Sequence, residues 1–257
     1  MTDPALFRLR VTFVEQGRLA LLSHLELARA LERAVRRADL PFAVSRGFSP
    51  HMRIAFGAAL PVGVGGTCEL FDLLLVRYVP PARALAALQA ASVPDLMPFS
   101  CEYVEHTAPA ASVAFPVSSY RARLSRAPRR LLLPEQVRVV RKKKDRTLAV
   151  GDYLLEAPRL EGETLDFTLV ARQSGSLRPD VLLRETLALS SGGDAPQRAA
   201  DAGGVLLAVE DATGAAAAEA SGAEAQGGPD VRVVGVMRVG QRAAGERERT
   251  LSGREAS

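Results

Sequence analysis

Residues 23–64 read S-H-L-E-L-A-R-A-L-E-R-A-V-R-R-A-D-L-P-F-A-V-S-R-G-F-S-P-H-M-R-I-A-F-G-A-A-L-P-V-G-V and hold two of the chain's three histidines. Ser23 and Glu26 form S-x-x-E, in which the two side chains satisfy each other's backbone N–H groups at the start of a helix. That pattern predicts a helix beginning at His24. Leu27, Leu31, Ala34 and Ala38 recur at helical spacing, with Ala28 and Val35 beside them, and so make one apolar stripe. Arg29, Arg33, Arg36 and Arg37 fall elsewhere on the wheel, toward water or a polyanion. Pro41 disfavours helical geometry in the residue before it, so the helix stops at Asp39-Leu40. The following S-R-G-F-S-P-H is an ordered turn. Gly47 permits positive φ there and Pro50 fixes its own φ, which presents Arg46, Phe48 and His51. Met52 to Phe56 reads as a short strand and Gly57 to Gly66 as a Pro/Gly connector.

Outward from this stretch, Phe7, Leu9, Val11 and Phe13 alternate with Arg8, Arg10 and Thr12, a half-buried strand with a basic outer face. Thr67 to Tyr78 is apolar on both faces and therefore a central strand. Pro81 to Ala91 reads as a helix with Leu85 and Leu88 inward, and Phe99 to Val104 as a strand. The order β-α-β-β-α-β is the ferredoxin-like pattern. A second unit repeats it, with a strand at Tyr120 to Leu124, a helix at Pro134 to Lys142 and strands at Thr147 to Leu155 and Thr164 to Arg172. A helix opening at Pro179 follows, and Val231 to Val239 closes the unit.

The expected fold class is therefore α+β, with tandem ferredoxin-like units built on antiparallel sheets. Residues 1–110 form the first unit, split from the second near residues 107–117. Residues 113–189 plus 230–240 form the second, 190–229 an inserted segment, and 241–257 a polar tail. The insertion holds 13 Ala and 8 Gly in 40 residues, too little apolar bulk to offset its ordering entropy, so disorder is expected. Val205 to Val209 is its one apolar run.

A chain of 257 residues, 47% hydrophobic, suffices for one large core or two ordinary ones. Met1 to Ala5 is polar and no apolar run approaches the roughly 18 residues a membrane helix needs, so no membrane contact and a cytoplasmic location are expected. Cys68 and Cys101 stand far apart and read as buried thiols.

The net charge of 33 − 29 = +4 is unevenly spread. Residues 121–146 carry 11 Lys/Arg against 2 Asp/Glu, a local +9 that leaves −5 for the remainder. Arg121, Arg123, Arg141, Lys142, Lys143 and Lys144 are the candidate nucleic-acid contacts there, with Arg8 and Arg10 adding to them. The plainer reading is a solvated hairpin or loop. His24, Arg46, Phe48, His51 and Arg53 are the candidate anion or substrate site, where two histidines and two arginines converge on a phosphate. Against this stand a structural role for both histidines and a metal site completed by His106, Glu69 or Asp72, for which no ligand spacing exists. Phe48 reads more simply as a core plug than as a stacking platform. No metal or cofactor is expected, and no nucleophile or phosphate-loop motif appears.

Ser23 to Leu27, Ser45 to His51, Ile54 to Phe56, Leu60 to Val64, Glu69 with Asp72, and Gly175 to Asp180 stand in an order that resembles the radical-SAM-linked bacterial protein family, a domain of unknown function. The resemblance implies a companion of a radical SAM enzyme, encoded nearby or fused in relatives. The chain lacks the closely spaced cysteines that a radical SAM cluster needs, so it is not that enzyme. Three functions follow as expectations. The first is a non-catalytic accessory protein that binds RNA or presents a substrate. The second is a metal-independent ribonuclease using His24 or His51. The third is a scaffold that binds the radical SAM partner without nucleic acid.

Overall fold

The computed structural model describes residues 6–141, 144–191, 205–207 and 231–245. The fold is α+β with a mostly antiparallel sheet. Strand β1 (Phe7–Glu15) leads through a short 3-10 turn to helix α1 (His24–Arg37). Ser23 accepts from the Glu26 N–H, and the Glu26 carboxylate reaches back to the Ser23 N–H, as the sequence predicts. Leu27, Leu31, Ala34 and Val35 are its buried stripe. Asp39, at φ 50, turns the chain out of the helix.

Strands β2 (Ile54–Phe56) and β3 (Val64–Leu75) follow, then α2 (Pro81–Ala91), β4 (Pro98–Tyr103) and the single turn α3 (Ala111–Ala114). Ala84 and Leu88 are the buried residues of α2, and Leu85 is only half-buried. The second half contains β5 (Val117–Leu124), β6 (Leu131–Leu133), β7 (Gln136–Arg141), β8 (Lys144–Ala149), β9 (Arg159–Glu161) and β10 (Thr164–Val170). It ends with α4 (Pro179–Ser191), β11 (Val205–Leu207) and β12 (Val233–Arg242).

Three expectations are corrected. The helix expected at Pro134 to Lys142 is strand β7, hairpinned to β8, because Val137 is buried opposite Leu148 and β-branched residues at period two favour a sheet. The strand expected at Thr147 to Leu155 is divided: β8 ends at Ala149 and the next strand to join the main sheet is β9. The closing strand runs to Arg242, into the stretch read as a tail. The insertion expected over 190–229 lies mostly outside the described residues, as does most of the tail. Its apolar run supplies β11, paired with β6.

Strands of both halves join in one sheet of order β4-β1-β3-β12-β5-β10-β9, with β2 also on β3, while β6 with β11 and β7 with β8 form separate two-stranded sheets. Among the described residues all pairings are antiparallel except β12 on β3, which matches Val236, Met237 and Arg238 to Val64, Gly65 and Gly66. β3 is long enough to take β12 along its first half and β2 along its second. One core gathers Leu9, Val11 and Phe13 with α1 and α2; the other gathers Tyr120, Phe167 and Leu182 around α4. Val64 lies in the second and Phe71 in the first, so β3 serves both. Among the described residues no helix is long and apolar enough to cross a membrane.

Candidate functional site

The S-R-G-F-S-P-H turn is held at its base. The Ser45 N–H donates to the His51 carbonyl at 2.8 Å, and the His51 N–H donates to the Ser45 hydroxyl at 2.9 Å. Below it, Val44 bridges Met52, the Ala43 N–H donates to Leu74, and the Arg53 N–H donates to Ala43. Both arms are thus pinned to the end of β3 and the turn projects past it. Gly47 has φ 133, a conformation that L side chains rarely adopt. Arg46, Phe48, His51 and Arg53 are all exposed. Phe48 as a core plug is corrected: at 113% exposure it touches no core, because the pinned arms carry it beyond the sheet.

His24 is the first residue of α1, exposed, and its ring meets Phe56 edge-on at 5.4 Å. β2 therefore has His24 at its Phe56 end and the turn residues beyond its Ile54 end. The N-terminus of α1 already carries a negative group: hydrogen bonds from the Ser23 hydroxyl and N–H hold the Glu26 carboxyl below its usual range.

The E-x-x-D of β3 is occupied by arginines. Asp72 faces Arg10 across the β1 pairing and accepts from Arg10 Nε at 2.7 Å and Arg8 Nη2 at 2.6 Å. Burial pushes the Asp72 carboxyl up, but these hydrogen bonds outweigh it and hold it below the carboxylate range. The same guanidiniums donate to the carbonyls of Ala108 and Pro109, and Arg10 lies over the Phe115 ring at 5.4 Å. The basic outer face expected of β1 is therefore corrected. Arg8 is half-buried and Arg10 buried, both spent on Asp72 and on the segment that joins the two halves. Glu69 accepts from Arg238 of β12, which also donates to the Ala58 carbonyl. Glu15 lies near this pair, and burial together with Glu69 pushes its carboxyl up to about 7. Burial likewise raises both cysteine thiols, Cys68 and Cys101, to about 11. His106 donates from Nε2 to the Leu6 carbonyl instead of approaching Glu69 or Asp72. Among the described residues no cluster of three His, Cys, Asp or Glu could hold a metal.

A recess of about 390 Å³ opens between the 60–64 connector and α4. Val62, Val64, Leu183, Leu187 and Val236 make it apolar, with Asp180 and Arg184 at its edge. The Gly63 N–H donates to the Ala20 carbonyl and fixes the connector against the turn before α1. Val62 to Val64 and Asp180, far apart in sequence, thus meet at one place.

The pattern of motifs has a counterpart in a known family, matched over residues 8–179. The chain belongs to the family described as "Uncharacterized protein conserved in bacteria (DUF2344)". A comparison with curated proteins gave no match. In this DUF2344 chain the match takes in the turn, the E-x-x-D strand and the connector, and stops at the first residue of α4. Arg238, the partner of Glu69, lies beyond it.

The basic segment is distributed over several elements. Arg121 pairs with Asp166 across β5 and β10 through two bonds of 2.8 Å, while Arg123 is exposed on the same strand. Arg138 pairs with Asp145 within the β7–β8 hairpin. Lys142 and Lys143 lie outside the described residues, and of Arg141 and Lys144 only the strand backbone is described. Sequence reasoning missed the two buried ion-pair networks and the recess. One signal was available: a carboxylate in a strand apolar on both faces must be paired, and arginines alternating on β1 are its nearest supply.

Proposed function

We propose that this chain is a non-catalytic accessory protein of the bacterial cytoplasm that binds RNA or presents a substrate to a radical SAM enzyme. The observation that carries the reading is the pinned, exposed turn between Ser45 and His51. It offers Arg46, His51 and Arg53 to solvent in a stretch, residues 40–68, without a single Asp or Glu. Such a surface suits an anionic polymer, whose phosphates attract clustered cations. The basic residues of 121–146 would extend the contact. The commitment of Glu69 and Asp72 to arginines favours binding over acid–base chemistry.

The strand orders β4-β1-β3-β2 and β12-β5-β10-β9 support reading the halves as tandem ferredoxin-like units, the second with a hairpin where the first has α1. That fold is used by many RNA binders, an argument by analogy alone. The recess beside α4 favours a second reading, a scaffold that docks the radical SAM partner through apolar contact. A shift assay with bulk RNA at two salt concentrations separates the two. RNA binding predicts a shift that weakens at the higher salt, whereas a scaffold predicts none at either.

A further inference from the structure

The Phe48 ring is 113% exposed at the tip of a turn closed by two hydrogen bonds at its base. A ring so placed contributes nothing to the core, and its presentation is fixed by the arms beneath it. Its neighbours in sequence are cationic and polar, Arg46, Ser49, His51 and Arg53, and the nearest acidic residues in sequence are Asp39 and Glu69.

We propose that Phe48 is a stacking platform for an unpaired base of single-stranded RNA, with His51 and Arg53 donating to the adjoining phosphates. This rests on the RNA reading above and names the element and the nucleotide form it would contact. A nucleotide has two unlike parts, an aromatic face and an anionic backbone, and the turn supplies a match for each. A protein partner would be met better by several apolar side chains packed together than by one ring among arginines. A duplex offers no such match, because its base faces are covered by their neighbours. Every base has an aromatic face, so stacking of this kind tolerates sequence.

The test is fluorescence anisotropy of the full chain with labelled oligouridine, an abasic oligomer of the same length, and a duplex RNA. Phe48→Ala should weaken oligouridine binding by about tenfold, while Phe48→Trp should retain it. The abasic oligomer should bind more weakly and be indifferent to Phe48. If the wild type binds oligouridine and Phe48→Ala binds it equally well, the stacking proposal is overturned while RNA binding stands. If Phe48→Ala lowers duplex and oligouridine affinity alike, stacking is again overturned. If the wild type binds no oligouridine even at low salt, both the proposal and the RNA reading fail. Loss of a purified radical SAM partner by Phe48→Ala, with RNA affinity unchanged, would make the ring a protein anchor and overturn the proposal as well.

Discussion

Glu69 and Arg238 stand 169 positions apart and form a buried ion pair, with Arg238 Nε donating to Glu69 Oε1 at 2.8 Å and the two residues 5% and 1% exposed. The pair sits where β12 of the second half joins β3 of the first, and it ties the two cores across the one parallel pairing among the described residues of the main sheet. Arg238→Met should destabilise the protein by about 3–5 kcal/mol, because it leaves the Glu69 carboxylate buried and unpaired. Changing both residues to apolar ones of similar volume should recover most of that loss. Urea unfolding of the single and double variants measures both effects.

Glu15 gives the same seam a pH dependence. Its carboxyl is raised from 4.5 to about 7, so between those values the folded chain holds a proton that the unfolded chain has released. Stability from this group is complete below the unfolded value and is lost as pH rises through about 7. Glu15→Gln should therefore become more favourable relative to wild type between pH 5 and pH 8, by roughly 2–4 kcal/mol at full extent. Parallel pH profiles of the two unfolding free energies check it, and a constant difference would refute it.

Gly65 pairs with Met237 where β12 joins β3. A Cβ there would lie 2.4 Å from the Met237 sulfur and 2.9 Å from the Glu15 carbonyl oxygen. Gly65→Ala should cost about 1–3 kcal/mol, as overpacking usually does. Adding Met237→Ala should relieve only part of this, since the Glu15 carbonyl is backbone. Thermal melts of the three chains separate the side-chain share from the backbone share.

Asp72 holds the segment between the halves through Arg8 and Arg10. Asp72→Asn should destabilise by about 3 kcal/mol near neutral pH and speed protease cleavage within residues 105–115, because two guanidiniums lose their buried partner. The lowered pKa of Asp72 means that its contribution is present above the usual aspartate value and is lost as pH falls through the folded one. The difference between wild type and variant should therefore shrink in acid.

Phe48→Ser should leave stability within about 0.5 kcal/mol of wild type, since the ring touches no core. A larger loss in urea unfolding would show that the turn packs.

The sequence alone determined those features whose cause is local. The capping box at Ser23 and Glu26, the stripe from Leu27 to Val35, and the start of α2 at Pro81 and α4 at Pro179 were legible because a helix writes its period and its ends into neighbouring residues. So were the alternation of β1 and the central place of β3. Only the tertiary structure decided the rest. Residues 134–142 offer short-range signals to both helix and strand, and burial of Val137 against Leu148 chose between them. Arg8 and Arg10 look like a solvated face until Asp72 and the Pro109 carbonyl are brought over them. Phe48 looks like core until its turn is carried past the sheet. Each of these depends on partners far away in the chain, and the pairing energy of a buried charge or ring depends on where those partners lie, which no local pattern records.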